Sequence, residues 1–513
     1  MFMRFRYFLL IFLSVSSLNF QLNAVSVQQL LSENQITIAN LEDRGDLTVL
    51  NLSNRNIDSL NGIGNISAQI GAFEGVDLSN NQLKKVTEND LKGLKSIEFL
   101  NLNKNKISAF HLKDFNRLGT LLLRGNRLTE GSLTGSVLSD ISGLQVLDLR
   151  DNQIESLCTQ IFGKNVMYHT NGGSTLTGNG LANLKKLYLS GNKIGNITNG
   201  TKDIFAGLEN LEILDLGNCD ISGTLKSYSL KHLKKLKILV LWNNRIREIE
   251  AGAFDDLESL KELYLNNNRL VGGLKVNLFK QLRKLEILHL GGNFFHKIYK
   301  GVFKDLENLK ELYLLANNIQ SLEQNCFTGL SELEVLDLSF NEIQELEKGC
   351  FNCLSNLKTL SLMNNQIRRL QANSFYGLGE LAHLYFNNNK AKSINSNSFF
   401  SLKNLKEIDL RGNNALALKA IFKGYLSWIR VRAECLPRRV FKKAWKAFVD
   451  KLPWVKRPSK IEKVIALNGV QSDFDFESYL NLLKRYYRNL SVSKVKEIKH
   501  SFFYQSGMPL CIR

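Results

Sequence analysis

Leucines recur along this chain at a fixed spacing, and that recurrence restricts its fold more than any other feature. The segment Leu333-Glu334-Val335-Leu336-Asp337-Leu338-Ser339-Phe340-Asn341-Glu342-Ile343 reads L-x-x-L-x-L-x-x-N-x-L. The pattern returns 24 residues later at Leu357, Leu360, Leu362, Asn365 and Ile367, and 24 later again at Leu381, Leu384, Phe386, Asn389 and Ala391. Fifteen units stand in register, opening at Leu47, Phe73, Ile97, Leu118, Leu144, Leu184, Leu211, Leu236, Leu260, Leu285, Leu309, Leu333, Leu357, Leu381 and Leu405. Self-similarity at this period means coils stacked on their neighbours, so a 513-residue chain need not divide into several globular cores.

The alternation x-L-x-L-x has the two-residue period of a strand, with leucines on one face and variable residues on the other. The following x-x-N-x-L turns the chain away. An Asn there can satisfy backbone groups that no strand partner reaches; leaving such groups buried and unpaired costs ~1–3 kcal/mol each. Stacked turns therefore predict an asparagine ladder through Asn81, Asn105, Asn126, Asn152, Asn192, Asn244, Asn268 and Asn293 to Asn413. A second apolar signature, F-x-x-L, as in Phe254/Leu257, Phe303/Leu306, Phe327/Leu330 and Phe351/Leu354, is expected to fill the core behind the sheet. Each buried Leu or Phe contributes ~1.5–3 kcal/mol.

With these motifs the chain resembles the leucine-rich-repeat family in its 24-residue form, over about three quarters of its length. The resemblance implies an α/β repeat: a horseshoe solenoid over 47–415 with a parallel β-sheet on its concave side. Two departures are plain. Arg55 holds the first unit's Asn place, and Cys219 holds the seventh unit's, where the family pattern accepts Cys.

The ends differ in composition. Arg4 and Arg6 precede the apolar run Tyr7 to Val15 and then small residues, which reads as a secretory signal over 1–24. No later stretch approaches about 18 uninterrupted apolar residues, so no second membrane segment is expected. An exported protein, secreted, at a cell surface or periplasmic, follows. Residues 25–46 form an N-terminal cap without the cysteines that many secreted family members use, and 416–435 a C-terminal cap, with Phe422, Tyr425, Leu426, Trp428 and Ile429 as a helical apolar stripe. Of the +19 net charge, +14 lies in 416–513, which holds 21 of the 67 Lys and Arg against 7 of the 48 Asp and Glu. Residues 436–513 read as a small basic helical domain. Val440 to Leu452 carries Phe441, Trp445 and Phe448 among Lys442, Lys443, Lys446 and Lys451. Such a surface either attaches to an anionic membrane, glycan or nucleic acid, or is simply solvated. The spacing between the fifth and sixth units stretches to 40 residues, so 155–183 is an inserted loop that serves binding or is merely tolerated.

The third, fifth and seventh places of each motif are expected to face outward from the sheet. They present Trp242, Tyr264, His289, Tyr313 and Leu315, and further on Met363, His383 and Tyr385. Aromatic and Met side chains on one open face suit recognition of a protein or glycan ligand. The main functional expectation is therefore an interaction module; the alternative is a scaffold whose basic tail makes the attachment. Seven scattered histidines and no metal, nucleotide or triad constellation argue against an enzyme, and no cofactor is expected. Cys350-Phe-Asn-Cys353 lacks both a thioredoxin-like context and a second pair for zinc, which leaves packing as its role. Asn51, Asn65, Asn196, Asn199 and Asn489 sit in N-x-S/T sequons, glycosylation acceptors in a eukaryotic secretory setting.

Overall fold

The computed structural model describes residues 25–413, less stretches within 33–37, 134–140, 158–180 and 196–203, together with Arg430–Arg432. The signal segment, the apolar stripe 422–429, the basic tail, Cys158, Cys435, Cys511 and the sequons at Asn196, Asn199 and Asn489 lie outside the described residues.

Each of the fifteen units contributes one short strand, from Thr48–Asn51 to Glu407–Asp409, and all fifteen pair in parallel in chain order. Leu336 is in register with Leu360, and Leu360 with Leu384. These three side chains are fully buried, as the alternation requires. Behind the sheet the F-x-x-L phenylalanines form a column. Phe254, Phe279, Phe303, Phe327, Phe351 and Phe375 stack ring on ring at 6.1 to 6.4 Å. The returning halves of the coils are built from turns and short two-stranded parallel sheets rather than long helices; the described α-helices are Val27–Ser32 and Ser67–Ile70. A 24-residue coil leaves little chain for a helix once the strand and two turns are made.

The asparagine ladder forms as expected. Asn341 donates through Nδ2 to the carbonyls of Leu314 (3.0 Å) and Leu338 (3.0 Å), and its Oδ1 accepts from the Ile319 amide at 3.1 Å. Asn365 repeats this one coil on, with Leu338, Leu362 and Ile343. Each rung thus ties its own turn to the preceding one. Cys219 keeps half of this role. Its Sγ donates to the carbonyls of Leu189 (3.3 Å) and Gly217 (3.4 Å), and burial pushes its thiol up to about 12.

A second column was not anticipated from the sequence. The residue before each ladder position, the eighth of the motif, has a left-handed backbone in all fifteen units, with φ between 51° and 80°. Asn, Gly and Asp fill most of these places because they tolerate that conformation. Lys104, Ala316 and Phe340 occupy it too. The signal was present in the Asn-Asn pairs 80–81, 243–244, 364–365 and 388–389.

At the N-terminal end Leu41–Asp43 runs antiparallel to Thr48–Asn51 and covers the sheet's first edge, while Val27 and Leu30 bury into the core. An edge strand left bare invites pairing with another chain, and here no disulfide is used to cover it. At the other end Arg430–Arg432 adds a further parallel strand to Glu407–Asp409. Within the insertion, Met167–Thr170 and Gly173–Leu176 form an antiparallel hairpin.

Candidate binding face

The side chains at the third, fifth and seventh places project from the sheet face opposite the leucine core. The parallel register aligns Tyr264 with His289 and His289 with Tyr313. The His289 and Tyr313 rings stack at 5.0 Å, 24° apart. Each tyrosine is steered by the acid two residues before it on the same face. Tyr264 Oη donates to Glu262 at 2.9 Å and Tyr313 Oη to Glu311 at 2.7 Å. Tyr313, Leu315 and Val335 form a small apolar cluster separate from the main core, with Ile287 against it.

Trp242 lies at the N-terminal end of this group, beside Gly217 of the preceding coil. Met363, His383 and Tyr385 are a second group, separated from Tyr313 by Asp337 and Ser361, which follow it in the same column. His383 Nδ1 is 3.6 Å from Glu407. Of the eight residues read from the sequence, Trp242, Tyr264, His289, His383 and Tyr385 are half-buried, whereas Tyr313, Leu315 and Met363 are 6%, 8% and 9% exposed.

The face also carries acids, which an aromatic pattern in the sequence does not single out. Glu262, Glu311, Asp337, Glu407 and Asp409 all stand at third or fifth places. Their surroundings decide their ionisation. Burial pushes Asp337 up, against the hydrogen bonds from Ser339 and Ser361. Burial, with Glu262 and Glu334 nearby, also raises Glu311. Asp77 holds the same motif place near the other end and shifts the other way. There too burial acts to raise the pKa, but hydrogen bonds from Ser79 and from Arg44 of the cap outweigh it. Desolvation pushes His289 down to about 3, so it presents a neutral imidazole.

Other sequence candidates are placed as follows. Cys326, Cys350 and Cys353 are free thiols; burial pushes Cys326 up to about 12 and Cys350 well above the ordinary thiol range. Such thiols are poor nucleophiles and metal ligands. Among the described residues no three His, Cys, Asp or Glu side chains gather as a metal site, and no helix is long and apolar enough to cross a membrane. Of the sequons, Asn65 is exposed, while Asn51 lies within a strand, where its side chain donates to Glu42 and accepts from the Ser53 amide.

A stacked-coil solenoid with a parallel sheet and a side-chain-rich open face defines a class of repeat protein, and comparison with known proteins agrees. Family profiles described as leucine-rich repeat match residues 223–270, 271–319, 307–367 and 355–414, and further ones match 183–208, 210–233 and 259–282. The chain belongs to the leucine-rich-repeat family. It is 30% identical to rat (Rattus norvegicus) lumican over 193 residues, which are 35% of this chain and 52% of lumican. It is 28% identical to chicken (Gallus gallus) tsukushi over 217 residues, 40% of this chain and 57% of tsukushi. The chain thus spans about half the length of these relatives. Among solved structures, a leucine-rich-repeat protein of Leptospira interrogans superposes with a TM-score of 0.59 at 25% identity, covering 79% of this chain and 98% of that one. The Toll–Spatzle complex of Drosophila gives a TM-score of 0.60 at 20% identity, over 76% of this chain and 51% of that one, which shows the shared fold alone.

Proposed function

We propose that the protein is an exported recognition module that binds a protein ligand through the concave face of its solenoid. The observation that carries this reading is the in-register row Tyr264–His289–Tyr313, flanked by Trp242 and Leu315. Rings held by neighbouring side chains lose little entropy when a partner docks, and aromatic anchors dominate binding energy at such surfaces. Neutral His289 and the acid-steered tyrosine hydroxyls add hydrogen-bond specificity beside the apolar patch. Export is supported by the charged, then apolar, then small-residue pattern of 1–24.

The test is substitution of Trp242, Tyr264 and Tyr313 by Ala, singly and together, in the full chain. Ligand capture should be lost while the circular dichroism spectrum still reports a folded solenoid, the unfolding midpoint falling where Tyr313, only 6% exposed, is truncated. Capture that survives the triple substitution in a folded protein would remove this face as the binding site.

A further inference from the structure

The chain as a whole is strongly basic, yet the C-terminal half of its concave face is acidic. Across the nine strands from Ile213–Asp215 to Glu407–Asp409, the third, fifth and seventh places hold Asp215, Glu262, Glu311, Asp337, Glu407 and Asp409. Arg411 is the one Lys or Arg among those places, and its pair with Asp409 at 2.7 Å offsets that acid, which leaves five. A face so charged favours a cationic occupant, and the aromatic row within it favours one that also carries rings.

The chain supplies such a segment next to that face. Arg430–Arg432 joins the sheet as its last strand, and the register sets Arg430 opposite Glu407 and Arg432 opposite Asp409. The 81 residues that follow contain 17 Lys and Arg against 7 Asp and Glu, and they start from the edge of the acidic half. Nine strands at ~4.8 Å spacing span about 40 Å, which a chain of that length crosses several times over. Within it, Phe441, Trp445 and Phe448 alternate with Lys442, Lys443 and Lys446, the chemistry the face complements.

We propose that the acidic half of the concave face is the docking site of this chain's own basic tail, with the segment around Val440–Leu452 lying along the row from Tyr264 to Tyr313. The tail then competes with an external ligand for the same face, so this inference rests on the binding reading above. Zero-length carbodiimide cross-linking of the full chain at monomeric concentration, followed by peptide mapping, tests it. Links from Lys442, Lys443 or Lys446 to Glu262 or Glu311 are expected in the monomer. They should fall at least tenfold in about 1 M salt, where charge attraction is screened beyond roughly 3 Å.

Reversing the face alone (Glu262→Lys with Glu311→Lys), or the tail alone (Lys442→Glu, Lys443→Glu and Lys446→Glu), should abolish the links. Reversing both should restore them, which also shows that the variants fold. Absence of tail-to-face links in the parent, links only between molecules, or no recovery in the double reversal would overturn the proposal. So would binding of the full chain to phosphatidylserine vesicles that is indifferent to reversal of the face. If links are absent while the Trp242, Tyr264 and Tyr313 substitutions still abolish ligand capture, the recognition reading stands and only the tail's part in it is lost.

Discussion

The indole of Trp242 rests where a side chain at 217 would have to be: a Cβ built on Gly217 falls 2.5 Å from the Trp242 Nε1. Both residues hold the seventh place of their motifs, so a missing side chain in one coil makes room for the large one in the next. Gly217→Ala should force the indole outward, at a cost of about 1–3 kcal/mol from overpacking. Its cost should largely vanish in a Trp242→Ala background, as a double-mutant cycle by urea unfolding will show. Equal costs in both backgrounds would mean that the two side chains do not share this space.

The asparagine ladder can be graded. Asn341→Ala orphans the Ile319 amide, whereas the Leu314 and Leu338 carbonyls still accept from Asn317 and Asn365. One orphaned buried amide costs ~1–3 kcal/mol, and a loss in that range is expected. Asn341→Cys should cost less, because Cys219 at the same motif place keeps its Sγ against the carbonyls of Leu189 and Gly217. Conversely, Cys219→Asn should raise the unfolding midpoint by about 1 kcal/mol in stability.

Backbone strain at the eighth motif place should be removable. Ala316 adopts φ 51° where most other units have Asn or Gly. Ala316→Gly should stabilise the fold by about 1 kcal/mol, read as a higher midpoint in thermal unfolding. The reverse change at Gly329, where φ is 101° and a Cβ would sit 2.4 Å from the Phe303 carbonyl oxygen, should destabilise it by more than that.

Asp77 and Asp337 occupy the same motif place and should respond oppositely to pH. The Asp77 carboxyl is held below its ordinary value, so its ionised form stabilises the fold above the carboxylate range, and that stability is lost as pH falls through its folded pKa. Asp337 is raised, so ionising it costs stability at neutral pH, and the cost disappears as pH falls through its folded pKa. At pH 7, Asp77→Asn should lower the urea midpoint and Asp337→Asn should raise it. Both differences should close in acid; midpoints that moved in the same direction at pH 7 would contradict this assignment.

Much of the architecture was legible in the leucines alone. The period gave unit number and boundaries, and the alternation gave the buried face, because a side chain on a strand can point to only two sides. The column at the eighth place was written in the Asn-Asn pairs but is understood only through its backbone angle. The binding face was legible as a set of outward places but not as a pattern. Tyr264, His289 and Tyr313 lie about two dozen residues apart in the chain, and only the register shows that they are neighbours while Met363 and Tyr385 stand off beyond Asp337 and Ser361.

What the amino-acid sequence by itself determined is the coil: its length, its leucine interior and its asparagine turn, since these follow from local periodicity and from the need to satisfy buried backbone groups. Only the tertiary structure decided which outward side chains are neighbours and how each acid ionises. Adjacency across a parallel sheet depends on register between distant segments. The opposite shifts of Asp77 and Asp337 depend on how far each carboxyl is desolvated and on whether distant residues such as Arg44 reach it.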